Sequence, residues 1–166
     1  MTENKQSMKH ERLSSGDWLL ETQLQLPSPI DEVFSFFSNA HNLSEITPPF
    51  VKFSVLNTAP IQMHEGALID YRLKIHGIPI RWRTEIVTWE PKHRFVDIQL
   101  RGPYRRWHHE HLFEPNEHGT LCIDRVTYGV PGGWLIQKLF VGKDVERIFK
   151  FRHHRLLEIF EGPTQT

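Results

Sequence analysis

The feature that most constrains the fold is a succession of six strand-like segments between residues 51 and 130. Each segment carries bulky apolar residues at close spacing, and turn signals such as Gly102-Pro103 separate neighbouring segments. Because most of the connections are too short for crossover helices, consecutive strands must pair antiparallel. The predicted strands are 51–56, 68–75, 80–89, 95–101, 106–113 and 120–130.

Helical patterns lie on both sides of this succession. A first strand is predicted at 18–26, where apolar and polar residues alternate, and two short helices follow it, beginning near Pro29 and Ala40. Residues 134–160 then place apolar side chains on one helical stripe. A long antiparallel sheet covers a single amphipathic helix best by bending around it. We therefore predict an α+β fold in which a curved seven-stranded antiparallel sheet wraps a long C-terminal helix and leaves a cavity.

Length and composition limit the possible classes of protein. The 166 residues suffice for one core, so we predict a single domain at 17–162 after a polar, aperiodic and flexible tail at 1–16. The 20 basic and 20 acidic residues give no net field, so no nucleic-acid partner is predicted. The single cysteine, Cys122, excludes an internal disulfide. Neither a signal peptide nor a membrane span is recognisable, so we expect a cytoplasmic protein, and the oligomeric state is left open.

Polar side chains recur at alternate positions of neighbouring predicted strands. Asp97 and Gln99 share a face of one strand, and His109 and His111 share a face of the next. A plain core strand does not need such groups among its large residues, whereas the wall of a partly polar cavity does. The candidate ligand-binding set adds nearby aromatic and polar residues: Tyr71, Trp82, Thr84, Trp107, Asp124, Tyr128 and Phe149.

Other interpretations of the polar residues stay open at this point. His109 with Asp97 or Asp124 has the composition of an acid–base pair, and the same residues in a closed hydrogen-bonded network would instead fix the strand register. His109 and His111 have a spacing that suits a shared metal ion, but no third ligand follows at a fixed spacing, so no metal is predicted. No phosphate-binding glycine loop is present, and no cofactor is predicted.

Several short motifs between residues 17 and 155 carry a family resemblance. They are Phe34-Ser35-Phe36-Phe37-Ser38-Asn39, Thr47-Pro48-Pro49, Gly77-Ile78-Pro79, Trp82-Arg83-Thr84, Phe95-Val96-Asp97, Gly102-Pro103-Tyr104, Trp107-His108-His109, Gly119-Thr120 and Asp124-Arg125-Val126. In them the chain resembles the SRPBCC ligand-binding superfamily of START domains, pollen-type allergens and polyketide cyclases, and within it a bacterial cyclase/dehydrase-like branch. The resemblance implies a helix-grip fold. It leaves the function open, because the superfamily includes lipid binders, enzymes and chaperone regulators.

Three functions are compatible with the sequence. We predict the binding of a small hydrophobic or amphipathic molecule in the cavity between the sheet and the C-terminal helix. The first alternative is an enzyme of the cyclase/aromatase type that uses a cavity His–Asp pair for acid–base chemistry. The second is a protein-interaction module, which would show a filled cavity and an exposed apolar patch. No catalytic residue is assigned from the sequence.

Overall fold

The computed structural model describes residues 6–162, which contain eight strands and three α-helices. The strands are β1 (Gln6–Arg12), β2 (Trp18–Leu26), β3 (Ser54–Val55), β4 (Leu68–Ile75), β5 (Ile78–Glu90), β6 (Arg94–Arg101), β7 (Arg106–Asn116) and β8 (Gly119–Gly129). The helices are α1 (Ile30–Phe37), α2 (Gly133–Ile136) and α3 (Gly142–Glu161). Short 3₁₀ turns occupy Ala40–Ser44 and Pro49–Val51, and a π-helical turn at Gln137–Val141 joins α2 to α3.

One antiparallel sheet contains all eight strands, in the order β1-β2-β8-β7-β6-β5-β4-β3. The passage from β2 to β3 takes the chain from one side of the sheet to the opposite edge, and it carries α1 and the 3₁₀ turns on the way. Register shifts in the pairing of β5 with β6, near Thr84 and Ile86, are the kind of irregularity that bends a sheet. The predicted helix-grip architecture is confirmed.

The strand count differs from the prediction because residues 6–12, assigned to a flexible tail, form β1. This segment pairs with β2 from Gln6 opposite Leu24 to Arg12 opposite Trp18. Its polar composition suits an edge strand that pairs on one side only, and its side chains find partners in the core. His10, for example, lies 2.8 Å from the Tyr128 hydroxyl. Residues 1–5 of the predicted tail lie outside the described residues.

Helix α3 closes the concave side of the sheet. Val145, Phe149 and Leu156 lie at helical spacing and are almost completely buried against the strands. Burial of three such side chains stabilises the fold by roughly 1.5–3 kcal/mol each, so the helix is held by packing rather than by helix propensity. None of the helices among residues 6–162 is long and apolar enough to cross a membrane.

Candidate functional site

The space between the sheet and α3 is a cavity of about 180 Å³. Strands β4 to β7 line one side of it, α3 lines another, and residues between 36 and 53 contribute a cover. Its walls are mainly apolar and rich in aromatic rings, a lining typical of sites for small molecules. The aromatic lining residues are Phe36, Phe37, Phe53, Tyr71, Trp82, Phe95, Tyr104, Trp107 and Phe149.

The strand register brings four polar side chains together at one wall of the cavity. Asp97 on β6 stands opposite His109 on β7, and His111 stands opposite Asp124 on β8. His109 Nε2 lies 2.8 Å from Asp124 Oδ1, and His111 Nε2 lies 2.9 Å from Asp97 Oδ2. The two imidazole rings are 3.7 Å apart between centres. These four residues are called the His–Asp cluster below.

A further short distance links the two histidine–carboxylate pairs of the cluster. His111 Nδ1 is 3.0 Å from the same Oδ1 of Asp124, although the angle misses hydrogen-bond geometry. His109 Nδ1 is 3.7 Å from Asp97 Oδ2, too far for a hydrogen bond. If His109 donates its Nε2 proton to Asp124, its Nδ1 keeps a free lone pair, a tautomer that we assign from the network. His109 thus has one nitrogen held by a carboxylate and one free of hydrogen bonds.

The environment shifts the pKa values of the two histidines of the cluster in opposite directions. Burial lowers the pKa of His109, and the neighbouring His111 lowers it further. Burial also acts to lower the pKa of His111, but its contacts with Asp124 and Asp97 outweigh burial and raise the pKa. Burial opposes ionisation of both carboxyls, yet hydrogen bonds from the histidines hold the pKa of Asp97 below, and that of Asp124 well below, the ordinary value. The surroundings of the cluster therefore favour ionised carboxylates, the protonated form of His111 and the neutral form of His109.

These shifts predict a pH-dependent difference between the two histidines. At pH 6.5, the ordinary pKa of both rings, we expect His111 to be mostly protonated and His109 mostly neutral. The raised pKa of His111 contributes stability that is complete below pH 6.5 and is lost as the pH rises through the folded-state value. The lowered pKa of His109 has the opposite sign, so its contribution is lost as the pH falls below 6.5. Imidazole ¹⁵N resonances measure both protonation states, and identical titrations would contradict the assignment.

The structure brings eight of the eleven predicted ligand-binding residues to the cavity. Three others, Gln99, Asp124 and Tyr128, do not line it. Asp124 is buried and binds the two histidines of the cluster, and Tyr128 is taken up by hydrogen bonds with His10 and Gln137. The eight that line the cavity are Tyr71, Trp82, Thr84, Asp97, Trp107, His109, His111 and Phe149.

Gln99 is displaced from the cavity wall by the loop that follows its strand. Its amide nitrogen donates to the Tyr104 carbonyl at 2.8 Å, and its amide oxygen accepts from the Tyr104 backbone nitrogen at 3.2 Å. A Cβ on Gly102 would lie 2.2 Å from this amide oxygen, so a larger residue there would force the Gln99 side chain to move. Gln99 therefore positions Tyr104, whose ring lines the cavity.

One charged cavity residue is absent from the predicted set. Arg152 on α3 is buried and lines the cavity. Its burial is indicated by its position relative to two apolar residues of the helix. Residue 152 lies three after Phe149 and four before Leu156, so it falls on the buried stripe of α3. Burial lowers the pKa of its guanidinium, while Asp124 and Asp97 act in the opposite direction.

The cluster also has the composition of a metal site. Asp97, His109 and His111 each offer one ligand atom, and these atoms lie within 4.8 Å of one another. The third ligand missing from the sequence spacing is thus supplied by the neighbouring strand. A proton on His111, favoured by the two carboxylates, competes with a metal ion for that ring. The absence of a bound metal stays a prediction, and elemental analysis of tag-free protein tests it.

Comparison with known proteins identifies a sequence family. The profile of the family described as "Polyketide cyclase / dehydrase and lipid transport" matches residues 26–155. That match includes the His–Asp cluster and Arg152. No protein with a curated description matches the chain.

Solved structures share the fold at low sequence identity. Protein Ms6760 from Mycobacterium smegmatis is 14% identical with a TM-score of 0.74, over 96% of this chain and 98% of that chain. Protein CV1439 from Chromobacterium violaceum is 14% identical with a TM-score of 0.68, over 86% of this chain and 97% of that chain. The di-domain ARO/CYC StfQ from the steffimycin biosynthetic pathway is 15% identical with a TM-score of 0.67, over 86% of this chain and 50% of that chain. At such identities the likeness concerns the fold alone.

Proposed function

Because the chain belongs to the polyketide cyclase/dehydrase and lipid-transport family, we propose that it binds a small hydrophobic or amphipathic molecule in the cavity between the sheet and α3. The family description joins cyclase-type enzymes to lipid carriers, so a ligand-binding or cyclase-type function follows from membership. The resemblance to the SRPBCC superfamily is thereby confirmed. We place this function in the cytoplasm and without a nucleic-acid partner, from the composition of the chain.

The cavity is the observation that carries the proposal. It has about 180 Å³ of space, and an engineered cavity of about 150 Å³ is known to stay dry and take up benzene. A single ring or a medium-length acyl chain therefore suits its volume. Apolar walls accept the body of such a molecule. Its polar end can reach Arg152 and the three residues of the His–Asp cluster that line the cavity, Asp97, His109 and His111.

Titration calorimetry with 1-octanol tests this proposal. We expect saturable binding that is weakened roughly tenfold or more by Val145→Phe, because the larger side chain occupies the cavity at a lining position. Overpacking of this kind costs about 1–3 kcal/mol of stability, so folding of the variant is checked by its melting curve. Leu139→Ser, on the exposed face of the π-helical turn, is the matched control and should leave binding unchanged. Equal loss in both variants, or no binding to the wild type, would refute the proposal.

A second candidate function, acid–base catalysis, is favoured by the geometry of His109. Its Nε2 side is held by Asp124, its Nδ1 has no hydrogen bond, and the residue lines the cavity. Its lowered pKa keeps the ring neutral at pH 7, the state that a general base requires. For a β-dicarbonyl compound the reaction would break a C–H bond between the carbonyls, move the proton to His109 Nδ1 and leave the electron pair as an enolate.

Proton exchange in D₂O tests this candidate without knowledge of the natural substrate. Benzoylacetone combines an aromatic ring with an acidic CH₂ group, and NMR follows the replacement of its protons by deuterium. Catalysis predicts faster exchange with the wild type than with buffer, and loss of that acceleration in His109→Gln. His154→Gln, an exposed position on α3, is the control that removes an imidazole without touching the cavity. Exchange that is equal in wild type and His109→Gln would exclude His109 as the base.

The third candidate, a protein-interaction module, meets one of its two expectations. Large apolar side chains are exposed along α2 and the π-helical turn, among them Trp134, Leu139 and Phe140. The filled cavity expected of such a module is not found in residues 6–162, where the sheet and α3 leave space between them. The cavity favours a small-molecule ligand over a protein partner. The exposed apolar segment provides the control positions, such as Leu139, for the binding experiments.

A further inference from the structure

Arg152 is a buried cation that contacts no counter-ion among residues 6–162. Only 8% of its surface is exposed, and it lines the cavity. Its guanidinium carbon lies 4.7 Å from the centre of the Phe149 ring, which holds the group against the apolar wall. Its Nε is buried without a hydrogen-bond partner, and no described residue forms an ion pair with the side chain.

The residues that could neutralise Arg152 directly are engaged elsewhere. Asp97 and Asp124 act on it over a distance, but each carboxylate lies in hydrogen-bond contact with a histidine of the cluster. Arginine keeps its charge in proteins and offers five N–H donors. Burial of such a group without acceptors is strongly unfavourable. An acceptor from outside the chain would satisfy it, and the cavity is the place from which one can reach it.

The geometry of the guanidinium indicates the chemistry of that acceptor. Its planar fork of donors matches the two oxygens of a carboxylate in a bidentate contact. The aromatic rings that line the same cavity, such as Trp82 and Trp107, suit an apolar body attached to this group.

We propose that Arg152 is an anion-binding residue and that the ligand of the cavity is an amphipathic carboxylate, with its carboxylate on the guanidinium and its chain or ring along the aromatic walls. This inference rests on the proposed function, because it presupposes that a small molecule enters the cavity. It adds the chemical class of that molecule and the residue that selects it.

Repulsion from Asp97, which lines the same cavity, is the main effect that opposes an anionic ligand. The carboxylate of Asp97 is, however, already engaged in a hydrogen-bond contact with His111. Among residues 6–162 no acceptor is paired with the Arg152 side chain, so its guanidinium is the charged group with which a ligand carboxylate can still pair.

Calorimetry with a matched pair of probes, octanoate and 1-octanol, tests the inference. We expect the wild type at pH 7.5 to bind octanoate at least tenfold more tightly than 1-octanol. Arg152→Met retains a long side chain without the charge and should weaken octanoate binding at least tenfold more than 1-octanol binding, which removes the preference. Melting curves establish that the variant is folded, and Arg152→Gln replaces it if it is not.

The outcomes separate this inference from the proposed function. If the wild type binds neither probe, the proposed function itself fails. If both probes bind equally to the wild type, or if octanoate keeps its preference in the folded Arg152 variant, the anion site is refuted while the cavity remains a binding site. Should neither variant fold, the comparison of the two probes on the wild type decides alone.

Discussion

A chain that ends before Asp144 should not fold. Val145, Phe149 and Leu156 of α3 are almost completely buried, and each contributes roughly 1.5–3 kcal/mol by its burial. Their removal also exposes the apolar strand residues that they cover, Leu20 and Val126 among them. A loss of this size approaches the total stability of a typical domain, about 5–15 kcal/mol.

Circular dichroism and a thermal melt of the truncated chain measure this effect. We expect no cooperative transition. Binding of 1-octanol should also be abolished, because the truncation removes the α3 wall of the cavity. The full-length chain with Leu139→Ser, a change at an exposed position, is the control and should keep a cooperative transition. A stable, soluble protein without residues 144–166 would contradict the helix-grip account of the core.

Replacement of Asp124 by alanine should lower the free energy of unfolding by about 3–5 kcal/mol. The change leaves the buried Nε2–H of His109 without an acceptor and removes a counter-charge of His111. Asp124→Asn should cost less, because its amide oxygen still accepts a hydrogen bond from His109 while the negative charge is lost. His109→Ala should also cost less than Asp124→Ala, because Asp124 and Asp97 retain His111 as a partner.

Urea unfolding at pH 7 measures these differences. The control is Asp70→Ala, which breaks an ion pair with Arg83 at 2.8 Å on the exposed surface of β4 and β5. Exposed pairs contribute little, so its unfolding midpoint should stay close to that of the wild type. If Asp124→Ala behaves like Asp70→Ala, the His–Asp cluster is not a structural unit. A cost of several kcal/mol for His109→Ala would assign that residue to stability rather than to the ligand.

The sheet and part of the site were predictable because short connections restrict how strands pair. Alternation places Asp97, His109 and His111 on cavity-facing positions, and antiparallel pairing across the Gly102-Pro103 turn brings β6 and β7 together. The third strand, β8, then supplies Asp124 at the register of His111. Alternation along each strand and short turns between strands are thus enough to predict contacts between neighbouring strands.

Contacts between distant parts of the chain were not predictable in the same way. The segment of β1 has the composition of a tail, and only pairing with β2 and partners such as Tyr128 make it a strand. Gln99 lies on the expected face of its strand, but its amide forms hydrogen bonds with the backbone of Tyr104 and does not reach the cavity. The sequence does not single out Arg152, because a charged residue on a helix normally faces solvent and its burial here depends on the cavity opposite.

Methyl NMR of the protein during titration with 1-octanol tests the central claim most directly, because it locates the ligand without a crystal. Ile69, Ile86, Val145 and Ile148 line the cavity, whereas Leu135 and Leu139 lie on the exposed apolar segment. We predict saturable shifts of the first group with a single affinity, and unchanged resonances for the second. Shifts confined to Leu135 and Leu139, or no saturable shift in either group, would contradict the claim that the cavity is the binding site.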